Sequence, residues 1–479
     1  MKKKVLSLAL ALALCLGLVV PASAAATVVN TAEELQAAFD KGGDITLGGD
    51  IGVKEGLIVT RSSSLDLNGH KLTIIPSNRD VGLLIELAQV LTISDSQYNK
   101  FEPGNGQLKI SSVKSGIMTS GATLIINSGV IEVTSENEAG IGGQAEDGYH
   151  DGGTVTINGG IVTATGGKYY LGDGAGIGGL GTSYGISRSG NGGVITINGG
   201  TVTAVGGGYR AAGIGGGGGT GSGGGDGGTI TITGGLVRAT AGYNGAAIGH
   251  SGSQSAEGET LKITGGTIEL VQSGLGASKL TLQNCTIKGE GAGDYAGSYD
   301  ASGNLVTVTG ASGWAAEAVA GAVAKGLVPQ DMQSDYTQST TRAQFCALAV
   351  AFYEQATGEA IAQRKTFSDT SDPNIEKMGG LGIVSGVGGD RFDPNGTLTR
   401  EQAATMLTRL AEAVGEPLPA QVASFADRAQ ISFWAAAAVG QVQGVGIMGG
   451  VGDNRFDPSG LYSREQSMIT LLRLYELLK

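Results

Sequence analysis

The middle of the chain repeats one short pattern of alternating apolar and polar residues. Each copy has two runs rich in Val, Ile and Thr that a two-residue turn joins, and every second side chain within a run is apolar. Successive side chains of a strand point to opposite faces, so each copy predicts two short strands with one apolar face. One copy offers that face no partner, and the copies are therefore expected to stack. They span Thr123 to Thr134, Thr154 to Thr165, Val194 to Val205, Thr229 to Thr240, Thr260 to Val271 and Lys279 to Glu290.

The intervals between copies favour a solenoid over an array of hairpins. Stacking like on like buries a continuous core, whereas hairpins would leave paired edges exposed. The step from Ile263 to Leu282 is short enough for one bare coil, and the longer steps would be coils that carry surface loops. The side chains expected to point inward are Val155, Ile157, Ile195, Ile197, Ile230, Ile232, Leu261 and Ile263 before the turn, and Val162, Val202, Val237 and Ile268 after it.

A third recurring segment predicts that each coil has three sides. The segment reads Ala-Gly-Ile-Gly-Gly, or a close variant, and begins at Ala139, Ala175, Ala212 and Ala246. Upstream, residues 31–39 have the pattern of a short amphipathic helix capped by Thr31. Strands are expected after it at 44–47, 64–67, 71–75 and 90–93. A helix placed before the first coil would cover the open end of the solenoid.

The pattern changes after about Asn304 to the spacing of amphipathic helices. Three stretches then follow one template, a helix, a Gly-rich loop and a second helix. The second helix of each stretch starts with a capping box, in which a Thr or Ser is followed three residues later by Gln. These boxes are Thr341 with Gln344, Thr399 with Gln402, and Ser463 with Gln466. One template buries little apolar surface alone, so the three are expected to pack together.

Each of these capped helices carries an arginine at its first helical position. The residues are Arg342, Arg400 and Arg464. A cation at a helix N-terminus opposes the helix dipole, which makes the placement mildly unfavourable for the helix itself. The recurrence favours a function in which the arginine and the free backbone N–H groups receive an anion together.

The three templates resemble tandem S-layer homology domains, over residues 311–365, 366–423 and 424–479. The resemblance rests on the Phe-x-Asp starts at Phe367 and Phe425, the Gly-Ile-x-x-Gly loops, the Phe-Asp-Pro segments and the Thr/Ser-Arg helix starts. It implies a pseudo-threefold unit that binds pyruvylated secondary cell-wall polysaccharide in grooves between copies. Arg342, Arg400 and Arg464 would then contact the acidic sugar, with Trp314 and Trp434 nearby. The first copy departs from the Phe-Asp-Pro pattern and the second has no Trp near Asn374, so unequal grooves are expected.

Residues 27–305 resemble, in repeat pattern, the right-handed parallel β-helix of the pectin-lyase-like superfamily, here with an N-terminal helical cap. The expected fold is therefore multidomain, a mainly-β solenoid followed by an all-α S-layer homology unit. Many members of that superfamily cut or bind polysaccharide, and their enzymes cluster charged residues on one sheet face. The strands here carry few charges. A β-helix that displays loops for adhesion or glycan binding is thus preferred over a wall-anchored polysaccharide lyase or glycoside hydrolase, and over a structural S-layer component.

Two groups of loop residues are further candidates. Tyrosines recur at similar offsets before the third strand, and a row of exposed aromatic rings would suit sugar stacking, although ordinary packing over the loop bases also explains them. These residues are Tyr169, Tyr170, Tyr209 and Tyr243. Asp151 and Asp226, with Asn191 and Glu257, precede the first strand of successive copies and are weak calcium candidates. Turn formation is the preferred explanation, so no metal or cofactor is expected.

Composition and the N-terminus set the cellular context. The formal net charge of −12 argues against nucleic acid as a partner, because phosphate binding needs a basic face. Lys2 to Lys4, an apolar run to Val20 and the small residues Ala22 to Ala24 have the layout of a secretory signal peptide over residues 1–24. The mature protein is accordingly expected to be secreted to the cell wall or cell surface, without a membrane partner after cleavage.

Overall fold

The computed structural model describes residues 26–77, 80–101, 105–144, 151–169, 172–181, 189–219, 224–251 and 259–478. The predicted signal peptide, residues 1–24, lies outside them. No helix among the described residues is long and apolar enough to cross a membrane.

Three sheets, called A, B and C, form the sides of a stack of coils. Sheet A contains Thr27–Val29, Gly43–Leu47, Ser63–Asp66, Val90–Ser94, Thr123–Ile126, Thr154–Ile157, Val194–Ile197, Thr229–Ile232, Thr260–Ile263 and Lys279–Leu282. Sheet B contains Ile51–Val53, Lys71–Ile74, Gln107–Ser112, Val130–Ser135, Ile161–Thr165, Thr201–Val205, Leu236–Thr240, Thr267–Val271, Cys285–Lys288, Gly297–Tyr299 and Leu305–Val306. Sheet C contains Leu57–Val59, Leu83–Ile85, Ile117–Met118, Ile141–Gly142, Ile177–Gly178, Ile214–Gly215, Ile248–Gly249 and Leu275–Gly276.

Neighbouring strands within each sheet are parallel, except for the last two of sheet B. A separate antiparallel pair, Lys168–Tyr169 with Gly172–Asp173, lies in a loop. Long parallel sheets stacked on three sides fit a β-helix. The sequence-based prediction of this architecture is confirmed to that extent.

The predicted stacking register is also confirmed. Ile126 pairs with Ile157, and the series continues through Ile197, Ile232 and Ile263 to Leu282. All of the side chains predicted to point inward are at most 1% exposed. They belong to one apolar cluster that runs the length of the solenoid. Register is fixed because a shift by one residue would turn every apolar side chain to the outside.

A ladder of side-chain amides supports the turns between sheets A and B. Asn158 donates from Nδ2 to Oδ1 of Asn127 over 2.8 Å, and Asn198 donates in the same way to Asn158. In the next coil the hydroxyl of Thr233 donates to Oδ1 of Asn198 over 2.8 Å. Each bond joins equivalent positions of adjacent coils, so the ladder reinforces the backbone register.

In the strands of sheet C, glycine is required after the isoleucine because the backbones of neighbouring coils stack closely there. Gly142, Gly178, Gly215 and Gly249 all have positive φ. A Cβ added at Gly215 would overlap the carbonyl oxygen of Gly249, and the same conflict recurs at the equivalent positions. Glycine is therefore needed both for its conformation and for the space it leaves.

Capping elements cover both ends of the solenoid. At the N-terminal end helix α1, Ala32–Lys41, is capped by Thr31, whose hydroxyl accepts from the N–H of Glu34. Leu35 and Phe39 of this helix are fully buried in the solenoid core. At the other end the two antiparallel strands of sheet B lie against the first helix of the C-terminal region.

The C-terminal region consists mainly of helices. They are α2 Ala316–Ala324, α3 Arg342–Thr357, α4 Pro373–Gly380, α5 Arg400–Ala413, α6 Ala436–Gly444 and α7 Arg464–Leu478. Short 3₁₀ turns lie at Gly293–Tyr295, Gln330–Met332 and Arg428–Gln430. Capping boxes start α3, α5 and α7, as the sequence predicts. The cysteines Cys285 and Cys346 are both buried and free, one in each part of the chain.

A closed ring of three backbone hydrogen bonds joins the segments that precede α3, α5 and α7. The N–H of Leu398 donates to the carbonyl of Thr340, that of Tyr462 to Leu398, and that of Thr340 to Tyr462, over 3.0, 3.0 and 2.7 Å. One equivalent bond per template places the three around a pseudo-threefold axis. They share one apolar core, as expected of units that bury little apolar surface alone.

Candidate functional site

Arg342 and Arg400 make matching contacts with the loop of the following template. Arg342 donates from Nε to the carbonyl of Phe392 (3.0 Å) and from Nη2 to that of Ser385 (2.7 Å). Arg400 donates in the same way to Phe456 and Gly449, over 2.7 Å each. Each guanidinium also lies over the ring of the phenylalanine whose carbonyl it binds, at 4.4 and 4.9 Å from the centroid. Carbonyl groups carry no net charge, so neither cation is neutralised by these bonds.

Arg464 of the third template contacts the loop of the first template, and its contacts are weaker. It donates from Nη1 to the carbonyl of Ser334 in the first template over 3.2 Å, and Asp335 lies 3.8 Å away. Ser334 occupies the place of Phe392, so there is no ring beneath this guanidinium. Its Nε is buried and has no partner among the described residues. The departure of the first template from the Phe-Asp-Pro pattern thus removes two contacts from this junction.

The loop of the first template nevertheless keeps the backbone shape of the other two. Asp335, Asp393 and Asp457 occupy equivalent positions, and all three have positive φ. Aspartate tolerates this conformation better than most residues. The similarity is therefore carried by the aspartate, even where the neighbouring Phe and Pro are absent.

The backbone N–H groups at the helix starts are not free, which corrects the sequence-based prediction. The N–H of Arg400 donates to the carbonyl of Gly460 and that of Glu401 to Pro458. The other two helices use their neighbouring loops in the same way, through Arg342 with Ala343 and Arg464 with Glu465. The third N–H of each helix is taken by the capping hydroxyl. An anion at these sites would have to be bound by the arginine side chains, because the amides already have protein partners.

Two aspartates hold the loops that receive Arg342 and Arg400. Asp369 accepts from the N–H groups of Phe392 and Asp393, over 2.7 and 2.8 Å. These bonds, above all that from Phe392, lower the pKa of Asp369. Asp427 accepts in the same way from the next loop. Burial opposes its ionisation, but the two N–H donors and Arg455 outweigh that effect and lower the pKa of Asp427.

A carboxylate next to the arginine fixes the start of the neighbouring template. Glu401 accepts from the N–H and the hydroxyl of Ser432, and Glu465 accepts in the same way from Ser312, over 2.8 to 3.0 Å. In the first template the glutamate is replaced by Ala343. The position that would face it, at the start of the second template, is Asp372 instead of serine, and Asp372 caps α4 through the N–H of Asn374. The two changes belong together, since a glutamate facing Asp372 would place two carboxylates side by side.

These contacts place each tryptophan near the start of a different helix. Trp434 is two residues beyond Ser432, which binds Glu401 of α5, and Trp314 is two residues beyond Ser312, which binds Glu465 of α7. Both indoles are exposed, by 55% and 65%. The start of α3 has Asn374 at the corresponding position. Arg400 is therefore the one of the three arginines with both a phenylalanine beneath it and a tryptophan at its helix start.

Comparison with known families was consistent with this geometry. The model of the S-layer homology domain matches residues 367–404, from the first Phe-x-Asp start to just beyond Arg400. The chain contains an S-layer homology domain. β-Helix repeats precede it, since the model of the β-helix repeat matches residues 155–182 and 195–218. No curated protein matches the chain.

The presence of an S-layer homology domain indicates a location at the cell surface or in the cell wall. The matched segment is the second template, with Asp369, the loop that binds Arg342, and the start of α5. The first and third templates reproduce its backbone contacts around the axis.

The loops of the β-helix bring two of the four candidate tyrosines together. Tyr209 and Tyr243 lie in adjacent coils, joined by a parallel bridge, with ring centroids 5.5 Å apart. They are 40% and 69% exposed. The backbone of Tyr169 is part of the antiparallel loop pair, and Tyr170 lies outside the described residues.

The residues considered for calcium form a hydrogen-bonded ladder instead. Oδ1 of Asp151 accepts from the N–H of Asn191 over 2.7 Å, and Oδ1 of Asn191 accepts from the N–H of Asp226 over 3.1 Å. Glu257 lies outside the described residues. No group of three or more His, Cys, Asp or Glu suited to a metal ion occurs in the described part of the chain. The observed role of these side chains is to join turns of neighbouring coils.

The sequence identifies the arginines, but it does not reveal that Asp369 and Asp427 hold the loops that Arg342 and Arg400 contact. Asp369 and Asp427 belong to the Phe-x-Asp motifs, and the motif alone does not say that the carboxylate binds a loop more than twenty residues later. The available signal was that a Phe-Asp-Pro segment follows each Phe-x-Asp start in the second and third templates, although at different distances.

Proposed function

We propose that the chain is a secreted cell-surface protein, held non-covalently to an anionic, pyruvylated secondary cell-wall polysaccharide by three S-layer homology repeats. The β-helix is then displayed for adhesion or glycan binding. One observation carries the anchoring proposal. Each junction between templates holds an arginine whose nearest acceptors are mostly uncharged carbonyl groups.

The arginines are suited to an acidic sugar because they keep donors for it. Nη1 of Arg342 and Nη1 of Arg400 have no protein hydrogen-bond partner among the described residues. Burial lowers the pKa of both guanidiniums, and an arginine remains charged under all ordinary conditions. A carboxylate on a sugar would pair with the guanidinium in a partly desolvated groove, where such a bond is strong.

The proposal ranks the three junctions. The Arg400 junction has the ring of Phe456 beneath the cation and Trp434 at the helix start, where a pyranose ring could stack. The Arg342 junction lacks the tryptophan, whereas Arg464 already has the carboxylate of Asp335 near it. Arg400 is thus expected to contribute most to binding and Arg464 least.

Sedimentation with purified cell walls that carry a pyruvylated polymer tests this. The full mature chain is compared with Arg342→Ala, Arg400→Ala and Arg464→Ala, and with Arg238→Ala on the outer face of the β-helix as the control. We expect half-saturation to shift by about tenfold for Arg400→Ala, the loss of one charge-assisted contact, and less for Arg464→Ala. Near-UV circular dichroism establishes that each variant is folded. Unchanged wall binding by folded Arg342 and Arg400 variants would refute the proposal.

The exposed pair Tyr209 and Tyr243 is the main support for glycan binding by the β-helix. The charged side chains on the outer face of sheet B include pairs of opposite sign, Lys109 with Glu132 and Arg238 with Glu269, at 2.9 and 3.7 Å. Such pairs favour a binding or display surface over an acid–base site. A glycan array probed with the full chain and with Tyr243→Ala tests this. Release of shortened glycan products would instead favour the lyase or hydrolase, and the absence of any glycan signal would favour a structural component of the S-layer.

A further inference from the structure

A cavity of about 280 Å³ lies where the β-helix meets the helical region. The groove between α2 and α7 forms one side, and the last two parallel strands of sheet B close it from the other. The residues that line it include Trp314, Glu317, Leu472, Arg473, Glu476 and Lys288. In the other two templates, the corresponding helix, α4 or α6, is met by the linker between templates, at Gln363 and Gln421. The β-helix replaces that linker only in the first template.

The contacts at the rim show that the two parts of the chain are fitted together here. The hydroxyl of Thr267, in the β-helix, donates to Oε1 of Glu476 over 2.9 Å. Gly321 of α2 lies where a Cβ would be 3.2 Å from Leu472 and 3.6 Å from the hydroxyl oxygen of Thr286. The cavity is therefore bounded by packed elements on both sides.

Lys288 stands at the end of its strand without a carboxylate partner. Its register neighbour in sheet B is Glu269, which pairs with Arg238 instead, at 3.7 Å. Among the described residues Lys288 has no carboxylate within ion-pair distance. Lys288 thus lines the cavity, and its ammonium group has no hydrogen-bond partner among the described residues of the protein.

The lining has the mixed character of a site for a sugar ring. The floor is apolar, from Leu472 and Ile469, and the indole of Trp314 is 65% exposed at the side. Two cations, Lys288 and Arg473, are balanced by the carboxylates of Glu317 and Glu476. A balanced set of donors and acceptors around an apolar floor suits hydroxyl groups on an uncharged ring, whose C–H face stacks on an aromatic side chain. The volume lies just below the usual range of ligand pockets, which limits the site to a small group such as one ring.

We propose that this cavity is a subsite for an uncharged sugar, an N-acetylhexosamine or neutral hexose unit, and that Lys288 of the β-helix completes it. The inference rests on the proposed function, because the sugar would be a unit of the wall polymer next to its acidic sugar. The β-helix then takes part in wall binding and is also the part of the chain that the wall-bound helical region displays.

The two tryptophans of the chain allow this subsite to be observed separately. In Trp434→Phe the only indole left is Trp314, and its fluorescence reports on the cavity; in Trp314→Phe the remaining indole, Trp434, is the control. Both are titrated, as full mature chains, with N-acetylhexosamines, neutral hexoses, and wall oligosaccharides from which the pyruvyl groups have been removed. We expect a saturable change in Trp314 emission with at least one of these neutral sugars, whereas Trp434, assigned to the groove for the acidic sugar, should respond only to oligosaccharides that keep their pyruvyl groups.

Lys288 is tested in the same Trp434→Phe background. Lys288→Ala should raise the sugar concentration at half-saturation by about tenfold, as expected for the loss of one hydrogen bond from a charged donor. Lys288→Arg should restore most of the affinity. Lys262→Ala, an exposed lysine of sheet A, should leave it unchanged.

The outcomes separate the two proposals. If the chain sediments with walls but no neutral sugar changes Trp314 emission, the subsite is refuted and wall anchoring stands. If Trp314 responds but Lys288→Ala titrates like its parent, the role of the β-helix in the site is refuted. If the chain does not sediment with walls, anchoring fails, and the sugar titration still decides on the subsite alone.

Discussion

Equivalent arginines at the three helix starts have unequal surroundings. Arg400 is 6% exposed and donates to two carbonyl groups of the following template, whereas Arg464 reaches one carbonyl group at a longer distance and leaves Nε unpaired. The sequence predicted three arginines in register. It could not predict their partners, because the accepting carbonyl groups lie in another template and no local pattern marks them.

Replacing Arg400 and Arg464 by alanine should therefore affect stability differently. Arg400→Ala leaves two inward carbonyl groups without their donor, and we expect it to lower the free energy of unfolding by about 3 kcal/mol. Arg464→Ala removes a weak, partly exposed pair and should cost about 1 kcal/mol or less. Urea denaturation of both variants at neutral pH measures the difference. Equal losses would mean that the guanidinium contacts of Arg400 are not the stronger ones.

The carboxylate of Asp427 should make stability depend on pH. Its pKa is lowered in the folded state, so its contribution is present above the unfolded pKa of about 3.9 and is lost as pH falls through the lower folded pKa. We expect the unfolding free energy of the wild type to fall more steeply below about pH 4 than that of Asp427→Asn. The asparagine variant should be less stable at pH 7. Parallel pH profiles from denaturant titrations would contradict this role.

At the scale of elements, the solenoid was predictable because its rules are local and repeat. The alternation around Ile157 and Ile197 predicts which side chains point inward. The equal spacing of residues from the turn predicts which of them stack on each other. The helical region was predictable only in part. Capping boxes such as Thr399 with Gln402 mark where a helix starts, but they do not reveal that the next N–H groups bind another template.

The third strand offers a direct test of backbone stacking. Gly215→Ala would put a Cβ against the carbonyl of Gly249 and force an alanine to a φ of 135°. We expect a loss of at least 3 kcal/mol in the free energy of unfolding, because neither strain can be relieved without separating two coils. Gly52→Ala is the matched control, as its Cβ would meet nothing within 4 Å. Thermal unfolding, followed by far-UV circular dichroism, compares the two variants. A Gly215→Ala protein as stable as the control would show that the coils can move apart at little cost in free energy.

At the scale of the whole molecule, the β-helix and the helical region share a packed junction. Lys325, at the end of α2, is 6% exposed, and its environment includes Glu476 of α7 and Cys285 of the last coil. Burial lowers the pKa of Lys325, while Glu476 opposes that change. Burial also raises the pKa of the Cys285 thiol to about 11, so the thiol is neutral at physiological pH. The chain thus buries one lysine side chain at the place where its two parts meet.

Replacing that lysine by methionine should stabilise the protein. Lys325→Met keeps the length of the side chain and removes the cost of burying a cation, which we expect to raise the free energy of unfolding by about 1 kcal/mol. The wild type should approach the variant as pH rises, since the lysine loses its charge more readily when folded. Lys377→Met, which breaks the partly buried pair with Glu354 at 2.7 Å, is the control and should be slightly destabilising, because Glu354 loses its partner. Denaturant titrations at pH 7 and 9 measure both, and a destabilised Lys325→Met protein would show that the charge is needed at the junction.

The anchoring of the whole molecule is tested most directly by changing the wall and leaving the protein intact. The full mature chain is mixed with purified cell walls, and with the same walls after their pyruvyl groups have been removed, and the bound fraction is measured by sedimentation. If Arg342 and Arg400 bind an acidic sugar, the protein sediments with the untreated walls and binding to the treated walls falls by about tenfold or more. Equal sedimentation with both preparations would contradict recognition of an anionic wall polymer.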